Sequence, residues 1–254
     1  MARTLWDPAF QESAKQACDQ NGVKLLYLVV SGSHAYGTNV AGSDIDLRGV
    51  FLPSRAHLFG VDRIEDIKFG EDGKMCELRS YIRKLEAGTP NLLDWLFVPQ
   101  DCILYHRPEF DPISAFKQMF VTQKLRGRIL GYAQGQLHKM GQITRDSGEK
   151  RKSLIAKYGY DTKNAMHLMR LLYLGLRVAQ EHVYCVRDRS LIPLLLEIRA
   201  GKFSLKQIVA LADLTTQAVA SAFKRSDLRA YPKHSEVNTA VQQVFEAALA
   251  SKLL

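Results

Sequence analysis

The chain has no long hydrophobic segment. Its longest uninterrupted apolar run, Leu25 to Val30, is far shorter than the roughly 20 residues that a membrane-spanning helix needs. The first residues, MARTLWDPAFQES, also lack the apolar core of a secretion signal. We therefore expect a soluble, cytoplasmic protein without a membrane partner.

Cysteines are few and unpaired in the sequence. The four of them are scattered without a CxxC motif or a Cys/His pairing, at Cys18, Cys76, Cys102 and Cys185. Zinc sites and disulfide frameworks both need characteristic cysteine spacings. The pattern predicts neither, and the cysteines are interpreted as reduced packing residues.

Acidic residues are outnumbered by basic ones. The chain has 26 Asp and Glu against 35 Lys and Arg, which gives a formal net charge of +9. The basic residues concentrate at 117–128, 145–157 and 224–233. Because such a charge attracts polyanions, we expect nucleic acid or nucleotide phosphate as a partner, although solubility alone also explains part of it.

Two hydrophobic patterns divide the chain of 254 residues. The first part predicts a helix over 8–21, a strand in KLLYLVVSG, a second strand in SDIDLRGVFLP, a hairpin around RIEDIKFGEDGKMCEL and helical structure over 78–97. From about Ile113 the periodicity is helical, with a basic linker, TRDSGEKRKSL, and a last short helix from about Glu236. We place two domains at 1–108 and 109–254.

The segment between the first two predicted strands combines glycine, serine and paired acids. Asp44 and Asp46 are two positions apart, so on a strand their side chains point the same way. Two adjacent carboxylates repel each other unless a cation compensates, and Mg²⁺ or Mn²⁺ with oxygen ligands provides that compensation. Gly32 and Ser33 lack bulk, so their backbone N–H groups can approach a triphosphate. Arg48 either contacts phosphate or holds the carboxylates by an ion pair.

These residues carry a resemblance. G-S-x-A-x-G followed by S-D-x-D-L-R-G-V is similar to the DNA polymerase beta nucleotidyltransferase superfamily, and most to its predicted-nucleotidyltransferase branch, typified by bacterial RNA-repair-associated proteins. The segments CELRSYIRKLEAGTPNLLDWLF and KYGYDTKNAMHLMRLL also resemble that branch. The resemblance implies an α+β fold, with a polymerase-beta-like mixed sheet, flanking helices and a C-terminal helical bundle that closes the nucleotide cleft.

The resemblance also implies a third acid that completes the metal site. The two main candidates are Asp72, which lies in a glycine-rich turn, and Glu77, which lies on the better strand. Glu77 has a competing interpretation as the N-terminal cap of the next helix. Asp66 is a less favoured third candidate, and the sequence leaves Asp72 and Glu77 open.

A basic stripe in the helical part is a second candidate binding surface. Lys163, His167 and Arg170 recur at i, i+4 and i+7, which places them on one helical face. A stripe of this kind is usually a solvated face. With the resemblance added, we interpret it as nucleotide-binding, with Lys and Arg on the triphosphate and His suited to acid-base work near neutral pH.

Taken with the resemblance, the residues predict a metal-dependent nucleotidyltransferase. Such an enzyme moves a nucleoside monophosphate from an NTP to an acceptor hydroxyl and releases pyrophosphate. RNA, as a tRNA or a damaged RNA end, is the favoured acceptor. A protein or small-molecule acceptor, and a non-catalytic nucleotide- or RNA-binding protein, are the alternatives.

Overall fold

A computed structural model describes residues 7–140 and 148–254. Its packing divides the chain into two compact units. Unit 1 is formed by residues up to Phe120 together with Tyr231–Leu254, and unit 2 by Val121–Ala230. The end of one predicted helix and the first part of the predicted linker, residues 141–147, lie outside the described residues.

Unit 1 contains a mixed five-stranded sheet in the order β3-β4-β2-β1-β5. The strands are β1 (Lys24–Ser31), β2 (Asp46–Leu52), β3 (Asp66–Phe69), β4 (Gly73–Glu77) and β5 (Ile103–His106). The β2/β4 pair is parallel and the other pairs are antiparallel. β5 is not among the predicted strands, because its four residues give too short a pattern.

Helices flank the sheet, and the regular secondary structure described in unit 2 is helical. They are α1 (Pro8–Gln20), α2 (Gly32–Tyr36), α3 (Arg55–Phe59), α4 (Leu78–Glu86), α5 (Pro90–Phe97), α6 (Asp111–Ala115), α7 (Lys124–Lys139), α8 (Glu149–Tyr158), α9 (Thr162–Glu181), α10 (Ile192–Arg199), α11 (Leu205–Arg225) and α12 (His234–Ala250). This architecture confirms the predicted α+β class, with a mixed sheet, flanking helices and a helical C-terminal region.

Local sequence explains where these elements begin. β1 lies between β2 and β5, and its apolar run is buried on both faces. α1 begins at Pro8 behind an Asp7 cap, whose carboxylate accepts a hydrogen bond from the Ala9 N–H at 2.9 Å. α9 begins in the same way, because the Asp161 carboxylate accepts the Asn164 N–H at 2.9 Å.

Three predicted elements differ in the structure. The helical stretch over 78–97 is two helices, because Pro90 starts α5 after a break at 87–89. Much of the predicted linker is helix α8, so that prediction was wrong from Glu149 onward. The last helix is not short, since α12 has 17 residues.

The compact units also differ in their bounds from the domains expected at 1–108 and 109–254. Residues 109–120 and α12 belong to unit 1, where α12 packs against α6. The apolar side of α12 is buried there, at Val237, Ala240, Val244 and Ala248. Just beyond α12, the Ser251 hydroxyl donates to the Glu109 carboxylate at 2.7 Å.

The cysteines lie in or near the core as thiols. Cys18, Cys76 and Cys102 are buried, and Cys185 is half-buried. Burial raises the pKa of the Cys18 and Cys76 thiols to about 12, so both are protonated and unreactive at neutral pH. Across the described parts of the chain, no helix combines the length and apolarity needed to cross a membrane.

Candidate functional site

The candidate site lies where β1 and β2 meet at one end of the sheet. The last residue of β1, Ser31, pairs with the first residue of β2, Asp46. The chain then turns directly into the short helix α2 at Gly32, which has φ +63°. Because β1 provides no pairing partner beyond Ser31, Asp44 precedes β2 rather than lying on it. The expectation that both acids sit on one strand was wrong for Asp44.

Gly32 and Asp46 are in direct contact. A Cβ built on Gly32 would lie 2.0 Å from Oδ2 of Asp46, far inside van der Waals contact. Two separate features therefore exclude a side chain at position 32. They are the positive φ of the backbone and the Asp46 carboxylate that fills the space. The neighbouring Ser33 is buried at the start of α2. The tertiary structure thus brings the Gly-Ser pair and Asp46 together, as the motif predicted.

Arg48 fixes the orientation of the Asp46 carboxylate. Its Nη2 donates to Asp46 Oδ1 at 2.8 Å, in an ion pair in which both side chains remain partly exposed. Its Nη1 donates to the backbone carbonyl oxygens of Leu47 and Asp72. Of the two interpretations of Arg48, the structure shows the ion pair with the acid, and the same guanidinium ties β2 to the turn before β4.

The register of β2 and β4 separates the candidates for a third acid. Arg48 pairs with Lys74, so the turn before β4, which carries Asp72, lies near the end of β2 where Asp46 stands, and the Asp72 backbone carbonyl accepts from Arg48. Glu77 pairs with Phe51, five residues from Asp46 along β2, which is about 16 Å at 3.3 Å per residue. Five positions is an odd number, so Glu77 is also on the opposite face of the sheet.

Glu77 and Asp66 are engaged elsewhere. Glu77 caps α4, where its Oε2 accepts the Ser80 N–H at 2.8 Å, and it pairs with Arg79 at 3.3 Å. Asp66 is on β3 and lies 3.3 Å from both Lys74 and Lys84. The structure therefore brings Asp72, and neither Glu77 nor Asp66, towards Asp46.

Metal-binding capacity at this site comes from carboxylates. Within residues 7–140 and 148–254, no group of three or more His, Cys, Asp and Glu side chains is placed to hold a metal ion. The donors at hand are the carboxylates of Asp44, which is exposed, and Asp46, which is half-buried. One or two carboxylates completed by substrate phosphates is a usual protein contribution to a Mg²⁺ site, so this donor set fits such an ion.

A polar contact anchors α2 to the rest of unit 1. The hydroxyl of the buried Tyr36 donates to Oδ2 of Asp94 at 2.8 Å, and Asp94 is fully buried on α5. Nε2 of His34 lies 3.4 Å from the carbonyl oxygen of Ser43. The segment between β1 and β2 is therefore held in two places, at Tyr36 in α2 and at His34 and Ser43 before β2.

The basic stripe of α9 belongs to unit 2 and is less exposed than its pattern indicated. Lys163 is exposed and His167 half-buried, but Arg170 is buried, at 5% relative exposure. Burial, with the charges of Arg170, Lys163 and Arg199, lowers the pKa of His167 to about 3. His167 is thus neutral at pH 7, contrary to the expected titration near neutrality. That the stripe binds nucleotide and that the helical region closes the nucleotide cleft stay predictions.

Arg199, on α10, is a member of this cluster that the sequence did not indicate. It lies 29 positions beyond Arg170 in the sequence, on a helix that was not predicted, and burial lowers the pKa of its guanidinium. The only sequence signal for Arg199 as a phosphate-binding residue was its positive charge. The cluster of Lys163, His167, Arg170 and Arg199 has the chemistry to bind phosphate groups.

Comparison with known proteins identifies the class as polymerase-beta-like nucleotidyltransferases. In particular, the chain belongs to RlaP, the RNA repair pathway DNA polymerase beta family, which matches residues 7–247. Membership confirms the resemblance and supports a polymerase-beta-like nucleotidyltransferase role in an RNA repair pathway.

A curated relative gives a narrower match. Over 80 residues, 30% of this chain, the sequence is 34% identical to the uncharacterized protein YcgL of Bacillus subtilis (strain 168). The matched segment spans 31% of that relative's length. No solved structure matches the chain.

Proposed function

We propose that the protein transfers a nucleoside monophosphate from an NTP to an acceptor hydroxyl and releases pyrophosphate. The observation that carries the proposal is the packing of the Asp46 carboxylate against Gly32, with Arg48 fixing its other oxygen. Family membership supports the reaction class and an RNA-related role. The favoured acceptor is RNA, either a tRNA or a damaged RNA end.

Asp44 and Asp46 are proposed to hold Mg²⁺ or Mn²⁺. Asp72 is proposed as the third acid, and its side chain would have to move towards the other two when the ion binds, because the described residues contain no ready group of three metal-binding side chains. When bound, such an ion supplies charge stabilisation on phosphoryl oxygens and activates a hydroxyl nucleophile. The contact of the Asp72 backbone carbonyl with Arg48, which also binds Asp46, supports Asp72. The cap that Glu77 forms on α4 makes Glu77 a structural residue in this proposal.

The remaining residues bind and position the substrate. The backbone N–H groups of Gly32 and Ser33 are proposed to contact the phosphates, since Gly32 has no side chain to block them. Arg48 keeps the Asp46 carboxylate in one orientation through their ion pair. Lys163 and Arg170 are proposed to bind phosphate oxygens, and the neutral His167 to donate or accept a hydrogen bond without carrying charge.

The first experiment incubates the protein with each α-labelled NTP, Mg²⁺ or Mn²⁺, and a pool of total RNA and protein. We expect label to move to an RNA band with the wild type and not with Asp46→Asn. Asp62→Asn, the same change at an exposed loop acid, is the matched control and should retain transfer. Label on a protein band or a small molecule would replace RNA as the acceptor.

The same experiment distinguishes the alternative, a non-catalytic nucleotide- or RNA-binding protein. If no NTP supports transfer while the wild type binds nucleotide or RNA tightly, the transferase proposal is overturned in favour of a binding protein. Nucleotide binding is measured by calorimetry with and without Mg²⁺. An affinity that the metal and Asp46→Asn both leave unchanged would also contradict the proposed metal site.

A further inference from the structure

The net positive charge of the protein comes from unit 2. Residues 121–230 contain 20 Lys and Arg against 8 Asp and Glu, whereas the residues of unit 1 contain 15 against 18. Unit 1, which carries the acidic site, thus has a net charge of −3, and the helical unit has a net charge of +12. A field of that size attracts polyanions to the helical unit in particular.

One contact in unit 2 joins two basic segments that are 100 residues apart in the sequence. The Gln123 side-chain amide donates to the backbone carbonyl oxygens of Phe223 and Ser226, each at 3.1 Å. The Gln123 backbone N–H donates to the carbonyl oxygen of Arg229 at 3.0 Å. The beginning of α7 is therefore held against the end of α11.

Four exposed cations lie at or next to the residues that form these hydrogen bonds. We call them the Gln123 cluster: Lys124, Lys224, Arg225 and Arg229. The acid closest to them in sequence, Asp227, is engaged with His182, whose Nε2 lies 2.9 Å from its Oδ1. Lys224 and Arg225 form no ion pair with any residue that the structure describes.

Helix stability explains only part of this arrangement. Lys224 and Arg225 are in the last turn of α11, where the helix dipole favours cations. Lys124 is in the first turn of α7, where the dipole disfavours a cation, and that turn contains no acidic residue. Lys224 and Arg225 are adjacent exposed cations, an arrangement that is unfavourable by itself, and an anionic partner would offset it.

We propose that the Gln123 cluster binds the phosphate backbone of an RNA strand. The choice of RNA among polyanions rests on the proposed function, whereas the surface rests on the Gln123 contacts and the exposed cations. Backbone phosphates, spaced along a strand, match several separate cations better than one small anion does. The surface would bind the acceptor whatever nucleotide the acidic site uses.

The test measures binding of a short fluorescent single-stranded RNA to the full chain in EDTA, without nucleotide, over a series of salt concentrations. The variant is Lys224→Glu with Arg225→Glu. Its matched control is Lys202→Glu with Lys206→Glu, which changes the charge of unit 2 equally around the opposite end of α11. Both pairs are exposed, and circular dichroism verifies that each variant is folded.

We expect the Lys224/Arg225 variant to lose about tenfold or more in RNA affinity. The magnitude of the slope of log association constant against log salt concentration should fall by about 1.4 or more, which is the value for two phosphate contacts on a single strand. The control should change both quantities much less. The neutral pair Lys224→Gln with Arg225→Gln should show a smaller loss in the same direction. Equal losses in variant and control would mean attraction by net charge alone and would overturn the assigned surface.

The outcomes separate this inference from the proposed reaction. Asp46→Asn should retain RNA binding, because Asp46 is not in the cluster. If no NTP is transferred but binding still depends on Lys224 and Arg225, the surface stands and the transferase proposal fails. If transfer occurs but RNA affinity ignores those two residues, the transferase stands and the surface fails.

Discussion

At the scale of single residues, Gly32 is the position with the least freedom in the candidate site. Its backbone has φ +63°, and the space that a Cβ would need is filled by Asp46 Oδ2. In contrast, Gly42 in the same connection has φ +74° but no atom within 4 Å of a Cβ built there. Both glycines relieve backbone strain, and only Gly32 also makes room for a carboxylate.

Gly32→Ala should therefore remove activity as well as some stability. The added methyl group must displace the Asp46 carboxylate, and the positive φ adds about 1 to 2 kcal/mol of strain. We expect transfer to fall by about 100-fold or more, since small misplacements of a reacting constellation have effects of that order. Label transfer and thermal unfolding measure the two effects.

Gly42→Ala is the control for backbone strain alone. It should lower the free energy of unfolding by about 1 kcal/mol and leave transfer nearly intact. Equal losses of activity in the two variants would show that the contact between position 32 and Asp46 is not what the site requires.

At the scale of elements, the parallel pairing of β2 with β4 gives different surroundings to two acids that the sequence left equivalent, Asp72 and Glu77. Pairing of Arg48 with Lys74 brings the turn before β4 to the level of Asp46. The same register carries Glu77 to the other end of the strands, where it caps α4. Position along a strand, and not residue type, distinguishes the two acids.

Asp72→Asn should consequently affect transfer and Glu77→Gln should affect stability. We expect Asp72→Asn to lower transfer with little change in stability. Glu77→Gln should lower the free energy of unfolding by about 1 kcal/mol through a weaker cap, with transfer retained. Transfer rates and denaturant unfolding measured side by side decide between the assignments. A loss of transfer confined to Glu77→Gln would reverse the roles.

At the scale of the whole molecule, the chain leaves unit 1, forms unit 2 and returns to unit 1 with α12. Just beyond α12, the Ser251 hydroxyl donates a hydrogen bond to Glu109 and so stabilises this packing. Arg107 also donates twice to Glu109, both times at 3.0 Å. The Arg107 guanidinium lowers the pKa of the Glu109 carboxyl from 4.5 to about 2, in spite of burial, and Ser251 adds to this.

The lowered pKa predicts an acid-dependent loss of stability. Because the folded-state pKa is below the unfolded one, the ionised carboxylate stabilises the fold above about pH 4.5, and this contribution is lost between about pH 4.5 and 2. Glu109→Gln should lower the free energy of unfolding at pH 7 by about 2 kcal/mol, as expected for charged hydrogen bonds. Its deficit relative to the wild type should shrink as the pH falls through this window.

The control for this pH dependence is Glu246→Gln, an exposed acid on α12. It should change stability little at any pH from 2 to 7. Urea unfolding at several pH values measures both variants. A Glu109→Gln deficit that stayed constant down to pH 2 would contradict the assignment of the pKa shift.

The amino-acid sequence by itself determined the family, because the glycine-serine turn and the two acids at fixed spacing are local signals, and the resemblance they carry implied the α+β class. Prediction from the sequence was wrong for α8 and α12. Glu149–Tyr158 has a polar composition typical of a linker yet forms a helix. α12 joins unit 1 through contacts with residues more than 100 positions earlier.

Only the tertiary structure decided how distant residues meet. Strand register, which a shift of one residue would change, brought the turn that carries Asp72 to Arg48, the ion-pair partner of Asp46. Packing of α9 with α10 placed Arg199 near His167 and lowered the pKa of that imidazole. The hydrogen bonds of Gln123 joined two basic segments whose separation in the sequence hides their proximity. Sequence spacing encodes contacts within an element, whereas contacts between elements depend on the fold.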